Sequence, residues 1–172
     1  MIILKDYATK TEITPRKNKT VDGFWPIGID YGFSGVKGFA PNKVFCYPNC
    51  AMKVDDFSSL IESGPNDILL KDNEGCWIIG EKALEMITPA NAMNYESEMY
   101  ERNRYFSPAF SALMKAGLGI ALLSNPVQAY NGEPVFVQTG LPPEYKALDT
   151  PDLKDAIAGD YDFDIKIGKN PF

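Results

Sequence analysis

Short apolar runs alternate with polar turns along this chain, and their spacing switches from strand-like to helix-like and back. Ile27-Gly28-Ile29-Asp30 is an apolar run that closes on a carboxylate, and residues 36–40 turn apolar again after two close glycines, Gly32 and Gly35. This reads as a strand, a tight turn and a second strand. Pro41-Asn42 is a turn, and residues 43–48 read as a third strand, so an antiparallel meander opens the fold. Residues 49–66 are less regular, with a helical turn expected over 55–61 and a break at Ser63-Gly64-Pro65-Asn66. Two apolar runs, 68–71 and 76–79, flank Asp72-Asn73-Glu74-Gly75, a hairpin signal because Asn and Gly accept positive φ. Gly80-Glu81-Lys82 begins a short helix, with Glu81 and Lys82 read as its solvated start, and residues 88–104 read as a small, mobile, polar segment.

The clearest helix starts at Ser107-Pro108, where Ser107 suits the cap and Pro108 the first helical position. Phe110, Leu113, Met114, Leu118, Ala121 and Leu122 recur at helical spacing up to a stop at Asn125-Pro126. Gly117 and Gly119 weaken its intrinsic propensity and allow close packing against a sheet. Residues 134–139 read as a buried strand of the parallel type, stopped by Gly140-Leu141-Pro142-Pro143. Thr150-Pro151 starts a second helix, Gly159 stops it, and residues 163–167 alternate as a last strand. The lead-in, residues 1–25, is polar and basic over 10–19. It reads as a loose solvated arm with a short strand near its start, or as an arm that docks on a neighbouring subunit.

Composition narrows the chemistry. The chain has 172 residues, 45% of them hydrophobic, enough for one core. A net charge of -6 argues against a general nucleic-acid or anionic-membrane binder, since both need clustered Lys and Arg. The chain has no histidine, which removes Ser–His and Cys–His nucleophilic catalysis and histidine metal sites. Cys46, Cys50 and Cys76 are an odd number, and a reduced cytoplasmic setting is the simplest reading. Plain buried thiols are preferred for them over a three-cysteine zinc site. The six aspartates Asp149, Asp152, Asp155, Asp160, Asp162 and Asp164 lack the spacing of a calcium loop and read as a solvated face. Lys5 and Asp6 interrupt the apolar start, and the longest apolar run, 116–123, is too short to span a bilayer. A soluble cytoplasmic protein is expected.

The turn after Ile29 carries the best candidate site. A turn rich in backbone N–H groups, backed by the Ser34 hydroxyl and the Lys37 ammonium, suits a phosphate. Asp30 is placed to hold a hydrated divalent cation on that phosphate.

Asp30-Tyr31-Gly32-Phe33-Ser34-Gly35-Val36-Lys37 resembles the first phosphate loop of the actin-like ATPases, the superfamily that includes Hsp70 chaperones and sugar kinases. The run 135–142, ending Thr139-Gly140-Leu141-Pro142, resembles the strand-to-turn signature of the bacterial plasmid-segregation actins, the ParM-like proteins, and Trp77-Ile78-Ile79-Gly80-Glu81-Lys82-Ala83 is similar to their hairpin exit. The resemblance covers about 26–168. It implies an α/β, RNase H-like (actin/Hsp70 ATPase) N-terminal domain with a mixed sheet, an antiparallel three-stranded meander first, and a small inserted α+β subdomain. The expected division is an arm at 1–25, then subdomain IA over about 26–50 and 105–172, with subdomain IB inserted at about 51–104.

By the same resemblance, ATP (or GTP) with Mg would sit in an interdomain cleft. Asp30 would reach Mg through water. The backbone of Gly32, Phe33, Ser34 and Gly35 would line the phosphates, and Lys37 would neutralise their charge. The family's water-orienting group and second phosphate loop have no counterpart in these residues, so weak or no hydrolysis is expected of this chain alone. Self-assembly into filaments, through 88–104 and the inserted hairpin, is implied, with a possible adaptor protein and no direct nucleic acid or membrane partner. Two other classes stay open: a non-catalytic interaction module with this fold, and an RNase H-like metal-dependent nuclease or resolvase in which Asp30 would be a metal ligand.

Overall fold

A computed structural model describes residues 9–18, 23–58, 63–88, 102–141 and 143–168. Parts of four expectations lie outside these residues: the arm at 1–8 and 19–22, the helical turn beyond 58, most of the 88–104 segment, and Pro142.

Two sheets sandwich one helix. The first sheet holds five strands: β1 (Glu12–Pro15), β2 (Trp25–Tyr31), β3 (Gly35–Ala40), β4 (Lys43–Pro48) and β8 (Val135–Thr139), in the order β1-β4-β3-β2-β8. All neighbours run antiparallel except β2 and β8, which are parallel. The sheet is therefore mixed and opens with the expected meander. β1 forms inside the stretch expected to be loose, because pairing with β4 satisfies its backbone groups.

The second sheet is wholly antiparallel, in the order β5-β7-β6-β9, from β5 (Ala51–Val54), β6 (Ile68–Asp72), β7 (Gly75–Ile79) and β9 (Phe163–Ile167). The expected hairpin is β6–β7. Its turn rests on Asp72, whose Oδ1 accepts from the N–H groups of Glu74 (3.0 Å) and Gly75 (3.1 Å). Gly75 alone in it takes positive φ, at 137°, so Asn73 does not need the left-handed region. The last strand, β9, pairs with β6 of the expected insert.

Helix α1 (Glu81–Glu85) follows β7, a 3-10 turn spans Arg102–Phe106, and helix α2 (Pro108–Leu122) is the central element. Ser107 caps α2 by accepting from the Phe110 N–H at 3.1 Å, and Pro108 starts it, as expected. α2 is apolar on all sides and almost wholly buried, as suits a helix with sheets on both faces. Gly117 and Gly119 make that possible. A Cβ on Gly117 would lie 3.0 Å from the Tyr47 hydroxyl in the first sheet, and one on Gly119 would lie 2.9 Å from Phe163 in β9. Two residues apart on a helix is about 200° of rotation, so each glycine serves a different sheet.

Helix α3 (Lys146–Ile157) begins one turn before Thr150-Pro151, and Pro151 lies inside it. The Thr150 hydroxyl donates to the Lys146 carbonyl there.

Two surface expectations change. β8 is parallel, yet Val135 and Phe136 are 39% and 64% exposed, because β8 is an edge strand of its sheet. Asp149 is buried at 7% exposure, while the other five aspartates of that group are exposed or half-buried. Among the described residues, no helix is long and apolar enough to cross a membrane.

Candidate phosphate-binding turn

The turn between β2 and β3 is built by the strands it joins. Alternation along β2 sends Trp25, Ile27, Ile29 and Tyr31 into the core against α2 and leaves Asp30 outside. Asp30 stands opposite Lys37 in the β2–β3 ladder, and both side chains are exposed. The cross-strand spacing holds a carboxylate and an ammonium side by side at the mouth of the turn.

The glycines of the turn are needed for close approach. Neither Gly32 nor Gly35 has positive φ. A Cβ on Gly32 would lie 3.0 Å from the Gly35 carbonyl, and one on Gly35 would lie 2.7 Å from the Thr9 side chain. Phe33 and Ser34 sit exposed at the tip.

Two residues that the sequence reading did not single out hold the turn from behind. Arg104, buried at 6% exposure, donates from Nη2 to the Tyr31 carbonyl at 3.0 Å. Its guanidinium lies 4.3 Å from the centre of the Phe33 ring. Asn49, also buried, donates from Nδ2 to the Phe33 carbonyl at 3.4 Å. Neither belongs to a recognisable motif, and only the fold brings them under the turn.

The second motif arrives at the same place. In the parallel β2–β8 ladder, Gly28 pairs with Gln138 and Ile29 with Thr139. Gly140 and Leu141 therefore leave the sheet at the end where Asp30 and the turn leave it. The carboxyl ends of adjacent parallel strands are where open α/β sheets bind ligands. A Cβ on Gly140 or on Gly28 would meet nothing within 4 Å, so the surface beside both strands is open. Beneath it, the buried hydroxyls of Tyr31 and Thr139 find no partner among the described residues. Burial, then the nearby Tyr161, pushes the Tyr31 phenol far up, so it stays neutral.

Residues 28–170 match the family model described as the actin-like proteins N-terminal domain. The chain belongs to that family. The first motif and the hairpin exit lie within the matched span, as do Thr139, Gly140 and Leu141. No curated protein matches the chain. Among solved structures, the apo ParM protein of psk41 superposes with a TM-score of 0.62 at 15% identity, over 84% of this chain and 45% of that one. The ParM of a 15-stranded filament from Clostridium botulinum gives 0.61 at 22% identity, over 87% and 43%. A non-polymerisable quadruple mutant of pCBH ParM gives 0.60 at 22% identity, over 87% and 42%. These likenesses establish the actin-like fold. The chain spans less than half the length of the ParM chains it matches.

Among the described residues, no three Cys, Asp or Glu side chains gather in a metal-binding group. Cys46 is half-buried, Cys50 and Cys76 are buried, and none of the three forms a disulfide among the described residues.

Proposed function

We propose that this chain is the N-terminal, phosphate-binding half of an actin-like filament ATPase that acts in plasmid or DNA segregation. One observation carries the reading. The β2–β8 register brings the Asp30–Lys37 turn and Thr139-Gly140-Leu141, a hundred residues apart in sequence, to neighbouring carboxyl ends of one sheet. That arrangement suits a Mg-nucleotide. Exposed Asp30 would hold hydrated Mg, residues 32–35 would offer backbone N–H groups, Ser34 a hydroxyl, and Lys37 a positive charge. The residues fit the group they are proposed to hold, since the anion meets donors and the cation meets a carboxylate. ATP or GTP would serve equally, because the base would lie away from these residues.

Catalysis asks for more. Phosphoryl transfer requires charge stabilisation and a positioned water on the far side of the phosphate. None of the residues named above can orient that water, so this chain alone is expected to bind nucleotide with weak turnover or none. Self-assembly is inferred by analogy with the filament-forming ParM structure. A cytoplasmic setting agrees with three cysteines that form no disulfide among the described residues.

Differential scanning fluorimetry with Mg-ATP tests the binding step. Saturating Mg-ATP should raise the melting temperature of the wild-type chain, and Asp30→Ala should abolish the rise. A wild-type chain with no shift would leave the non-catalytic interaction module as the reading. Nicking of branched DNA with Mn would instead favour the nuclease.

A further inference from the structure

We propose that the N-terminal arm is coupled to the nucleotide site, with Thr9 as a positioning residue for the β2–β3 turn and Glu81 as the clamp that docks the arm. The inference rests on the nucleotide-binding reading of the turn. It adds residues before 28, outside the span matched by the family model.

Three contacts dock the arm just ahead of β1. The Thr11 N–H donates to Glu81 Oε2 at 2.7 Å, and Lys10 Nζ lies 3.3 Å from Glu81 Oε1, so both oxygens of one carboxylate face the arm. The Cys46 thiol donates to the Lys10 carbonyl at 3.3 Å. The ion pair contributes little, because the Lys10 side chain is 70% exposed. The Thr11 bond is short, charge-assisted and partly buried, so it carries most of the hold. Glu81 is presented by Gly80, whose own N–H donates to the Cys50 carbonyl at 2.8 Å. The solvated helix start expected at Glu81 is therefore a docking point.

Two threonines of the arm meet two glycines of the motifs. A Cβ on Gly80 would lie 3.1 Å from Thr11 Oγ1, and one on Gly35 would lie 2.7 Å from Thr9 Cγ2 and 2.8 Å from Thr9 Oγ1. Thr9 thus occupies the space that a side chain at Gly35 would need. Gly35 is where the turn closes, since its carbonyl lies 3.0 Å from the position of a Cβ on Gly32. Alternation along β3 puts Gly35 on the face of Lys37, and Lys37 stands opposite Asp30. Thr9 therefore packs on the limb of the turn that leads to the proposed phosphate ligands. A turn already held in place loses less freedom on binding, which raises affinity. The coupling is reciprocal: a docked arm favours Mg-ATP, and Mg-ATP favours the docked arm.

The test measures Mg-ATP affinity by calorimetry for the wild-type chain, Asp30→Ala, Glu81→Gln, Thr9→Gly, Gly35→Ala and the Thr9→Gly/Gly35→Ala double variant. Hydrogen exchange of the Thr11 amide is followed by ¹⁵N NMR with and without Mg-ATP. Glu81→Gln should speed that exchange and weaken Mg-ATP about fivefold, the lower end of coupling between sites. Saturating Mg-ATP should slow the wild-type exchange by about the same factor. Gly35→Ala should weaken Mg-ATP about fivefold beside Thr9, but less than about twofold in the Thr9→Gly background, where the added methyl has room. An equal loss in both backgrounds would overturn the inference. So would a Thr11 exchange rate indifferent to Glu81→Gln or to Mg-ATP, or an affinity that Glu81→Gln leaves unchanged or raises. A wild type that binds beside an Asp30→Ala that does not would leave the nucleotide reading standing in each of these cases. A wild type that fails to bind Mg-ATP at all would overturn both.

Discussion

The buried ion pair between the central helix and the second sheet offers a sharp test of how the two layers are joined. Lys115 on α2 meets Asp72 of β6 with Nζ–Oδ2 at 2.5 Å, and the two side chains are 8% and 1% exposed. The Coulomb attraction at that distance is roughly 7 kcal/mol at an effective dielectric near 20, and most of it offsets the cost of removing both charges from water. Removing one partner strands the other, at about 3–5 kcal/mol. The two sides are not equivalent. After Lys115→Met, the Asp72 carboxylate keeps two backbone donors, Glu74 and Gly75. After Asp72→Ala, the ammonium is stranded and the turn loses both of those bonds, adding about 1 kcal/mol each. Asp72→Ala should therefore be the worse single substitution, at roughly 5 kcal/mol against about 3 kcal/mol for Lys115→Met.

The double variant strands no charge, so it should be more stable than Asp72→Ala alone. The assay is urea unfolding at pH 7, reading midpoint and slope for all four proteins in one cycle. Since a domain has only about 5–15 kcal/mol in total, stabilising osmolyte is needed to keep the weakest variant folded. A loss below about 1 kcal/mol for Lys115→Met, or a double variant whose loss equals the sum of the singles, would refute the claim that this pair ties the helix to the sheet.

Other outcomes follow from single residues. Lys43 is buried, donates to the Ile120 and Leu123 carbonyls at the end of α2, and burial lowers its pKa from 10.5 to about 8. The unfolded chain then holds the extra proton between these values, so stability should rise from pH 8 toward 10 and flatten in Lys43→Met. Above pH 10 the trend should reverse, because burial raises the Tyr31 and Tyr47 phenols and only the unfolded state ionises. Thermal melts across pH 7–11 would check both limbs. Gly38→Ala should cost about 2 kcal/mol or more in urea unfolding, since its Cβ would lie 1.9 Å from the ring of Phe45, itself 4% exposed and unable to move aside. A loss under about 0.5 kcal/mol would show that the ring does move.

Local signals alone were enough for several elements. The meander, the β6–β7 hairpin and the Ser107-Pro108 helix start were legible because alternation, turn residues and caps act within a few residues of each other. The β2–β3 turn proposed to hold phosphate was legible as a turn for the same reason: Asp30, Gly32, Ser34 and Lys37 lie within eight consecutive residues. Periodicity states which residues need burial, but not what buries them. Nothing local in 163–167 says that β9 joins the second sheet, or in 135–139 that β8 is an edge with Phe136 outside. Nothing near Arg104 or Asn49 says that both lie under a turn formed 73 and 16 residues earlier in the chain, as their bonds to Tyr31 and Phe33 carbonyls record. The sequence by itself determined the strands, the turns and the chemistry available at Asp30–Lys37. Tertiary structure alone decided which side chains hold the Tyr31 and Phe33 carbonyls from behind, because backbone groups of a turn are satisfied by partners distant along the chain.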